Sequence, residues 1–332
     1  LYSKFSVIML HDIIQQYASW PDIWYREPWN IYNVGILPSA QWEHNWNHCS
    51  QWYYTRPKVG IFKIGWPKAD VINKLQQTSS KEKFYQEHGL DINKRTVLYA
   101  PAWENDHKQD DFVQSMLKLD VNILIKQAKW PDSYPQQIKN IEEMFELHKD
   151  NPRVTILPPE TNIFEAIAVS DILVSEESST MCEDTMMGVP AVSVSDWLIP
   201  DVTPSRFPKC DYDFVYITKK GELTGFIDKI LNQYDYYHEK TREFSSHNFS
   251  NIGKTSAMIM DIIDDCISKT PLRHRALVPE DDKRVPLIKD IKRKLIRAER
   301  VVTYNYIEQY RFCGFIWGGL RKIKHFITKK SK

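Results

Sequence analysis

The chain has 332 residues, of which 42% are hydrophobic and 26% charged, and its mean hydropathy is −0.48. This balance is typical of a folded protein with a sizeable core, and it excludes a mini-protein and a chain that is disordered throughout. The sequence contains no run of about 18 apolar residues and no secretion-signal pattern, so neither a membrane-spanning helix nor export is predicted.

The net charge of +1 conceals an acidic body and a basic tail. Residues 283–332 carry fifteen Lys and Arg against three acidic residues, whereas residues 1–282 carry 29 basic and 40 acidic ones. Apolar residues within 312–327 recur every three to four positions among basic ones, which predicts an amphipathic helix. Such a helix either contacts an anionic membrane surface or docks on the body. Nucleic-acid binding is not favoured, because no recognition module accompanies the charge.

The five cysteines are widely spaced and include no CxxC pair. This pattern predicts reduced cytoplasmic thiols rather than a disulfide framework or a zinc ribbon. His44 and His48 have the i, i+4 spacing of a helical metal site, but no third ligand accompanies them. We therefore predict no metal site and no cofactor.

The first seventy residues are rich in tryptophan and proline, and their indole rings are expected to fill a core rather than to line a sugar or base site. Short apolar runs predict strands over 5–10 and 59–64, and a helix over 69–76. The polar segment 78–83 predicts a linker.

Strands alternate with helices in the following segment. Strands are predicted at 96–100, 121–125, 154–157, 172–175 and 191–194, and helices at 112–119, 138–147, 163–168 and 180–187. Apolar strands that are each followed by a crossover helix indicate a parallel sheet covered on both faces. We expect residues from about 90 to 268 to form a doubly wound domain, with its ligand at the carboxyl ends of the strands.

A hydroxyl cluster follows the strand at 172–175. Ser178, Ser179 and Thr180 lie where a helix is expected to begin and to expose unpaired N–H groups, which favours a phosphate. Glu183 comes one turn later, where its carboxylate can accept the hydroxyls of a ribose. Together these residues suit a nucleotide diphosphate, although a serine at this position can also serve only as a helix cap.

His11 follows an apolar strand, so its side chain is expected to project into a cleft between domains. An imidazole with a pKa near 6.5 can deprotonate an acceptor hydroxyl at neutral pH. Asp12 is an alternative base, and a histidine satisfied by ordinary hydrogen bonds is the other interpretation. Glu104, after the strand at 96–100, is a weaker candidate to orient an acceptor or a metal.

Five segments resemble one family in order along the chain. They are IGWPKAD at 64–70, TVLYAPAWE at 96–104, VNILIKQ at 121–127, SDILVSEESSTMCEDTMMGVPAV at 170–192 and NFSNIGKTSAMIMDII at 248–263. They look like the CDP-glycerol glycerophosphotransferase family of teichoic-acid and capsule-polymer enzymes. The resemblance implies an α/β fold of GT-B type, in which two Rossmann-like parallel-sheet domains face a cleft and the C-terminal one holds the nucleotide.

The resemblance also implies transfer of a polyol phosphate from a CDP-linked donor to a polymer or lipid-linked acceptor at the inner membrane face. His11 matches the family's histidine before a glycine, although Asp12 replaces that glycine. Glu176 and Glu177 precede the serines where the family has D-Y-S-S, and their charge calls for Lys126, Arg206 or Lys254 to offset repulsion of the diphosphate. Lys254 opens a second turn suited to an anion, or simply a capped helix start. Gln127-Ala128 stands where the family has a His-Pro pair.

The expected organisation is a short or truncated Rossmann-like domain over 1–77, a nucleotide-binding domain over 78–270 and a basic helical tail over 271–332. The predicted enzyme is cytoplasmic and binds the inner face of the membrane peripherally through its tail. A homo-oligomer is compatible with the sequence. Two alternatives remain: a UDP-sugar-dependent GT-B glycosyltransferase or epimerase, and a catalytically silent scaffold in polymer assembly.

Overall fold

The computed structural model describes residues 5–10, 13, 24, 29–53, 55–78, 80–101, 108–175, 178–196, 215–278 and 287–303. Proximity of Cα atoms groups the chain into two compact units. One comprises residues 1–10, 19–64 and 258–332, and the other comprises residues 11–18 and 65–257. The division at 77 and 270 stays a prediction about separately folded parts.

The described strands and helices follow one another as parallel-sheet folds require. The strands are β1 (Val7–Met9), β2 (Val34–Leu37), β3 (Gly60–Lys63), β4 (Thr96–Tyr99), β5 (Asn122–Lys126), β6 (Val154–Leu157), β7 (Ile172–Ser175), β8 (Ala191–Val194) and β9 (Val215–Thr218). The α-helices are α1 (Ala40–Tyr53), α2 (Val71–Thr78), α3 (Lys81–His88), α4 (Lys108–Met116), α5 (Pro135–His148), α6 (Ile163–Val169), α7 (Thr180–Met186), α8 (Leu223–Asn232), α9 (Tyr234–Asn248), α10 (Thr255–Ser268) and α11 (Leu287–Val302). Short 3₁₀ helices lie at Trp29–Ile31, Pro67–Asp70 and Lys220–Glu222.

The first unit contains a parallel sheet in the order β1-β2-β3. Four indole side chains pack in its core: Trp24, Trp29, Trp42 and Trp46 are all buried. The ring of Trp24 meets those of Trp29 and Trp42 edge-on, at centroid distances of 5.6 Å and 5.7 Å, which is a favourable arrangement for aromatic pairs. The prediction that these tryptophans fill a core is confirmed.

The second unit contains a six-stranded parallel sheet in the order β6-β5-β4-β7-β8-β9. Leu98 of β4 lies opposite Leu124 of β5 and Leu173 of β7, so the middle of these three strands is apolar and buried. The predicted parallel sheet is confirmed, since each predicted strand from 96 onward has a counterpart. All six strands end at one edge of the sheet, where the functional residues were expected.

Two predictions for the segment before this sheet differ from the structure. The helix expected over 69–76 is divided into the 3₁₀ helix Pro67–Asp70, which has Pro67 in its first turn, and α2. The linker expected over 78–83 was wrong. The Ser80 side chain accepts a hydrogen bond from the N–H of Lys83 and caps the start of α3. The polar residues of this segment therefore belong to a helix start and not to a linker.

Candidate functional site

The candidate site lies at the carboxyl end of β7, in the middle of the six-stranded sheet. The hydroxyl of Ser175, the last residue of β7, donates to the carbonyl of Ala100 at 2.7 Å. This bond ties β7 to the end of its neighbour β4. The chain therefore leaves the sheet from a fixed point and reaches Ser178 three residues later.

The three predicted hydroxyl residues lie together, and all three are half-buried. The Oγ atom of Ser178 accepts from the backbone N–H of Thr180 at 3.2 Å and from the Thr180 hydroxyl at 2.7 Å. Ser179 is the N-cap residue of α7, but its side chain makes no capping hydrogen bond. Ser178 thus performs the capping role, and the Ser179 hydroxyl is not needed to start the helix.

Glu183 lies one turn into α7, and only 1% of its side chain is exposed. Its Oε1 atom forms an ion pair with Nζ of Lys68 at 2.7 Å. The lysine side chain is 52% exposed, and its ammonium also lies 5.8 Å from the ring centroid of Phe164. The sequence did not predict this contact, because 115 residues separate the two partners.

The segment that carries Lys68 is fixed by its neighbours. Gly65 has a φ of +121°, and a Cβ atom there would lie 2.6 Å from the carbonyl oxygen of Ser250. The Asp70 carboxylate accepts the backbone N–H groups of Thr255 and Ser256 at 2.9 Å and 2.6 Å. The IGWPKAD segment therefore anchors one end on the start of α10 and presents Lys68 to Glu183. The family-like IGWPKAD stretch is the sequence feature that could have indicated a role for Lys68.

The cations predicted to offset the diphosphate charge have different surroundings. The Lys126 ammonium donates to the carbonyl of Gln127 at 2.7 Å and to that of Pro159 at 3.0 Å, across the ends of β5 and β6. Lys254 is exposed just before α10, where the helix N–H groups already bind the carboxylate of Asp70. Neither lysine is placed beside Ser178–Thr180 by these contacts, so their role stays a prediction.

Several predicted residues lie outside the described residues. They are His11, Asp12, Glu104, Glu176, Glu177 and Arg206. The roles predicted for His11 and Asp12 as bases and for Arg206 as a cation therefore stay predictions. Gln127, which stands at the place of the expected imidazole, is buried at the end of β5. In the described part of the chain, no group of three or more His, Cys, Asp and Glu side chains can hold a metal ion.

A second acidic residue of α7 has a different environment. Asp184 is fully buried, and within the described residues its carboxyl oxygens have no hydrogen-bond partner. Burial raises the pKa of this carboxyl well above its ordinary value, because the charged form loses hydration without gaining a partner. The raised pKa favours the neutral form of Asp184, whereas Glu183 forms the ion pair with Lys68.

Comparisons with known proteins give a family and a fold. Residues 39–194 match the family described as CDP-Glycerol:Poly(glycerophosphate) glycerophosphotransferase. A curated relative is the UDP-N-acetylglucosamine--N-acetylmuramyl-(pentapeptide) pyrophosphoryl-undecaprenol N-acetylglucosamine transferase of Lactococcus lactis subsp. cremoris (strain MG1363). It is 32% identical over 112 residues, which cover 30% of this chain and 30% of the relative.

Two solved structures share the fold. The wall teichoic acid polymerase TagF is 19% identical with a TM-score of 0.51, over 74% of this chain and 61% of that one. A protein described as a UDP-N-acetylglucosamine 2-epimerase, from Listeria monocytogenes, is 13% identical with a TM-score of 0.52, over 74% of this chain and 63% of that one. The chain thus spans under a third of the curated relative and about three fifths of these structures.

These likenesses confirm the predicted fold class, an α/β parallel-sheet protein with structural neighbours of GT-B type. The family match covers four of the five segments on which the sequence resemblance rests and includes the whole α7 helix with its hydroxyl residues. The predicted resemblance to the CDP-glycerol:poly(glycerophosphate) glycerophosphotransferase family is therefore confirmed over residues 39–194.

Proposed function

We propose that this protein transfers a polyol phosphate, such as glycerol phosphate, from a CDP-linked donor to a cell-surface polymer or its lipid-linked primer. The observation that supports this most is the arrangement on α7. Half-buried hydroxyls of Ser178, Ser179 and Thr180 lie one turn before Glu183, inside the family-matched residues 39–194. In this proposal the hydroxyls bind the diphosphate and Glu183 binds the ribose.

The proposed reaction needs a base and a site for the leaving group. An acceptor hydroxyl oxygen attacks the β-phosphorus of the donor, the bond from that phosphorus to the bridging oxygen breaks, and CMP leaves. Hydroxyl donors beside the α-phosphate stabilise the charge that develops on CMP. The acceptor's proton goes to the base, for which His11 and then Asp12 are the proposed groups.

A UDP-sugar-dependent enzyme is the second candidate. The curated relative from Lactococcus lactis is a transferase of N-acetylglucosamine, and the Listeria structure is described as a UDP-N-acetylglucosamine 2-epimerase. A ribose and a diphosphate are common to CDP-linked and UDP-linked donors, so the α7 residues suit both. A silent assembly scaffold, the third candidate, would bind or turn over neither.

The test of the proposed function is release of the leaving nucleotide. The protein is incubated with CDP-glycerol and a lipid-linked glycerol phosphate primer, and separately with UDP-N-acetylglucosamine. We expect primer-dependent release of CMP, lowered about 10²-fold or more in His11→Ala. Release of UDP alone would identify the second candidate. Release of neither nucleotide would favour the third candidate, the catalytically silent scaffold.

We also propose that the protein contacts the anionic inner face of the membrane through its basic tail. None of the helices in the described ranges has the length and apolar character needed to cross a bilayer. Helix α11 packs on α1, and the guanidinium of its buried Arg300 donates to the carbonyl of Trp24 at 3.2 Å. A different side of the helix exposes apolar side chains one or two turns apart, those of Leu287, Ile288, Ile291 and Leu295.

This exposed side suits an interfacial position. Ile288 is 82% and Leu295 67% exposed, and the basic Lys292 is exposed beside them. An apolar stripe flanked by lysine places its side chains among the lipid acyl chains and its ammonium groups among anionic headgroups. Each lysine near such a surface contributes about 1 kcal/mol. Because α11 packs on α1 through a different side, the exposed apolar stripe can contact a membrane.

Substitution of the stripe should weaken membrane binding and leave the fold intact. We expect Ile288→Asp/Leu295→Asp to lower binding to phosphatidylcholine vesicles that contain phosphatidylserine by more than about tenfold, because two apolar side chains become charged. The measurement is co-sedimentation with the vesicles. Ile92→Asp, a substitution of an exposed isoleucine of the other unit, is the control. Equal binding by the double variant and the control would contradict the role of α11.

A further inference from the structure

The ion pair between Lys68 and Glu183 joins an exposed lysine to a buried carboxylate. Glu183 is 1% exposed, while Lys68 is 52% exposed and lies over the carboxylate. A ribose hydroxyl that donates to Oε1 therefore takes the position that the ammonium group holds. Lys68 is therefore both a counter-ion of Glu183 and the group that a ribose hydroxyl at Oε1 displaces.

The lysine side chain can move without its backbone. Lys68 lies in the 3₁₀ helix Pro67–Asp70, which the Asp70 carboxylate fastens to the N–H groups that start α10. Four flexible methylene groups separate this fixed backbone from the ammonium, and half of the side chain already contacts solvent. Movement of the ammonium gives up the Glu183 ion pair and the contact with the Phe164 ring.

A buried carboxylate does not give up its counter-charge without replacement. Ribose hydroxyls replace the ammonium with hydrogen bonds, because each can donate one to a carboxylate oxygen. Ser179 and Thr180 lie four and three residues before Glu183, and residues at these spacings are neighbours on a helix. A diphosphate at these hydroxyls therefore lies within reach of the Lys68 ammonium and attracts it. Glu176 and Glu177, which precede the hydroxyls in the sequence, increase the need for such a cation.

We propose that Lys68 exchanges partners when the nucleotide binds. Without a nucleotide its ammonium forms the ion pair with Glu183. In the loaded site the ammonium binds the diphosphate, and Glu183 accepts hydrogen bonds from the ribose hydroxyls. This inference rests on the proposed function, because it takes the nucleotide at Ser178–Thr180 as given. Lys68 then contributes to phosphate recognition and Glu183 to sugar recognition, and the two contributions are separable.

The test compares three probes, CDP, cytidine and 2′-deoxy-CDP, by isothermal titration calorimetry. We expect Lys68→Met to lower the ratio of CDP to cytidine affinity about tenfold or more, because the phosphate cation is lost. The preference for CDP over 2′-deoxy-CDP should remain. Glu183→Gln should do the opposite: it lowers the ribose preference and keeps the phosphate ratio. Lys68→Arg keeps the cation and should retain the phosphate ratio.

Lys83→Met is the matched control, because Lys83 also forms an ion pair, with Glu87 on the exposed side of α3. It should leave both ratios unchanged. The Lys68→Met/Glu183→Gln variant removes both charges of the ion pair and should lose both preferences. An unchanged phosphate ratio in Lys68→Met would overturn the exchange, and so would loss of the ribose preference in that variant. Wild-type protein that binds none of the three probes would instead refute the proposed function.

Discussion

Replacing Gly65 by alanine is expected to lower the free energy of unfolding by about 2–4 kcal/mol. The φ of +121° at Gly65 is a conformation that side chains with a Cβ atom rarely adopt. The added Cβ would also lie 2.6 Å from the carbonyl oxygen of Ser250 and 2.6 Å from Oγ1 of Thr255. Because the first of these atoms is backbone, relief requires movement of the turn that carries Ser250, between α9 and α10.

Substitutions of two other glycines serve as controls, because an added Cβ atom makes no close contact at either position. Gly89 has a φ of +67° with no atom within 4 Å of an added Cβ, so Gly89→Ala should cost only about 1 kcal/mol. Gly221 combines an ordinary φ with open space, and its substitution should change stability by less than about 0.5 kcal/mol. The measurement is denaturant unfolding followed by circular dichroism. If Gly65→Ala cost no more than Gly89→Ala, the tight contact between Gly65 and Ser250 would be refuted.

Replacing Asp184 by asparagine is expected to remove a pH dependence of stability. Burial raises the pKa of this carboxyl above its value in the unfolded chain, near 3.8. Between these two pKa values the folded state holds a proton that the unfolded state has released, so stability falls as pH rises. The loss is about 1.4 kcal/mol for each pH unit in that interval.

The variant should therefore gain stability relative to the wild type as pH rises above 4. The measurement is the free energy of unfolding at several pH values between 4 and 7, for both proteins. Asp265 provides a control of opposite sign, because hydrogen bonds from the Arg273 backbone and then its side chain lower the pKa of Asp265 despite partial desolvation. The wild type should lose stability relative to Asp265→Asn only as pH falls below about 4, and between pH 4 and 7 these two profiles should run parallel. Parallel pH profiles of wild type and Asp184→Asn would show that Asp184 is ionised in the fold.

Local patterns in the sequence predicted the larger sheet well. Each of its strands from β4 to β8 is a short apolar run bounded by polar residues. Such a run is typical of a strand in a parallel sheet that is buried on both faces. The first unit was harder to predict. Helix α1 has apolar tryptophans among histidines and asparagines, and its low amphipathicity concealed a helix whose burial comes from the indole cluster.

The site was predicted only where it is continuous in sequence. Ser178, Ser179, Thr180 and Glu183 follow one strand and share one helix, so their spacing alone places them together. Lys68 comes from a different segment, and its contact with Glu183 depends on how Gly65 and Asp70 pack against the start of α10. Tertiary contacts of this kind leave no periodic signal in a single sequence. Only the family-like IGWPKAD stretch indicated that the segment mattered.

The most direct test of the α7 nucleotide site is a calorimetric titration of CDP-glycerol into wild type and Ser179→Ala. The Ser179 side chain makes no capping hydrogen bond, so its removal should leave the melting temperature unchanged. We predict that CDP-glycerol binds the wild type, and that the variant raises the Kd about tenfold through loss of a hydrogen bond to a charged phosphate. An unchanged Kd in Ser179→Ala, or wild-type protein that does not bind CDP-glycerol, would contradict the nucleotide site on α7.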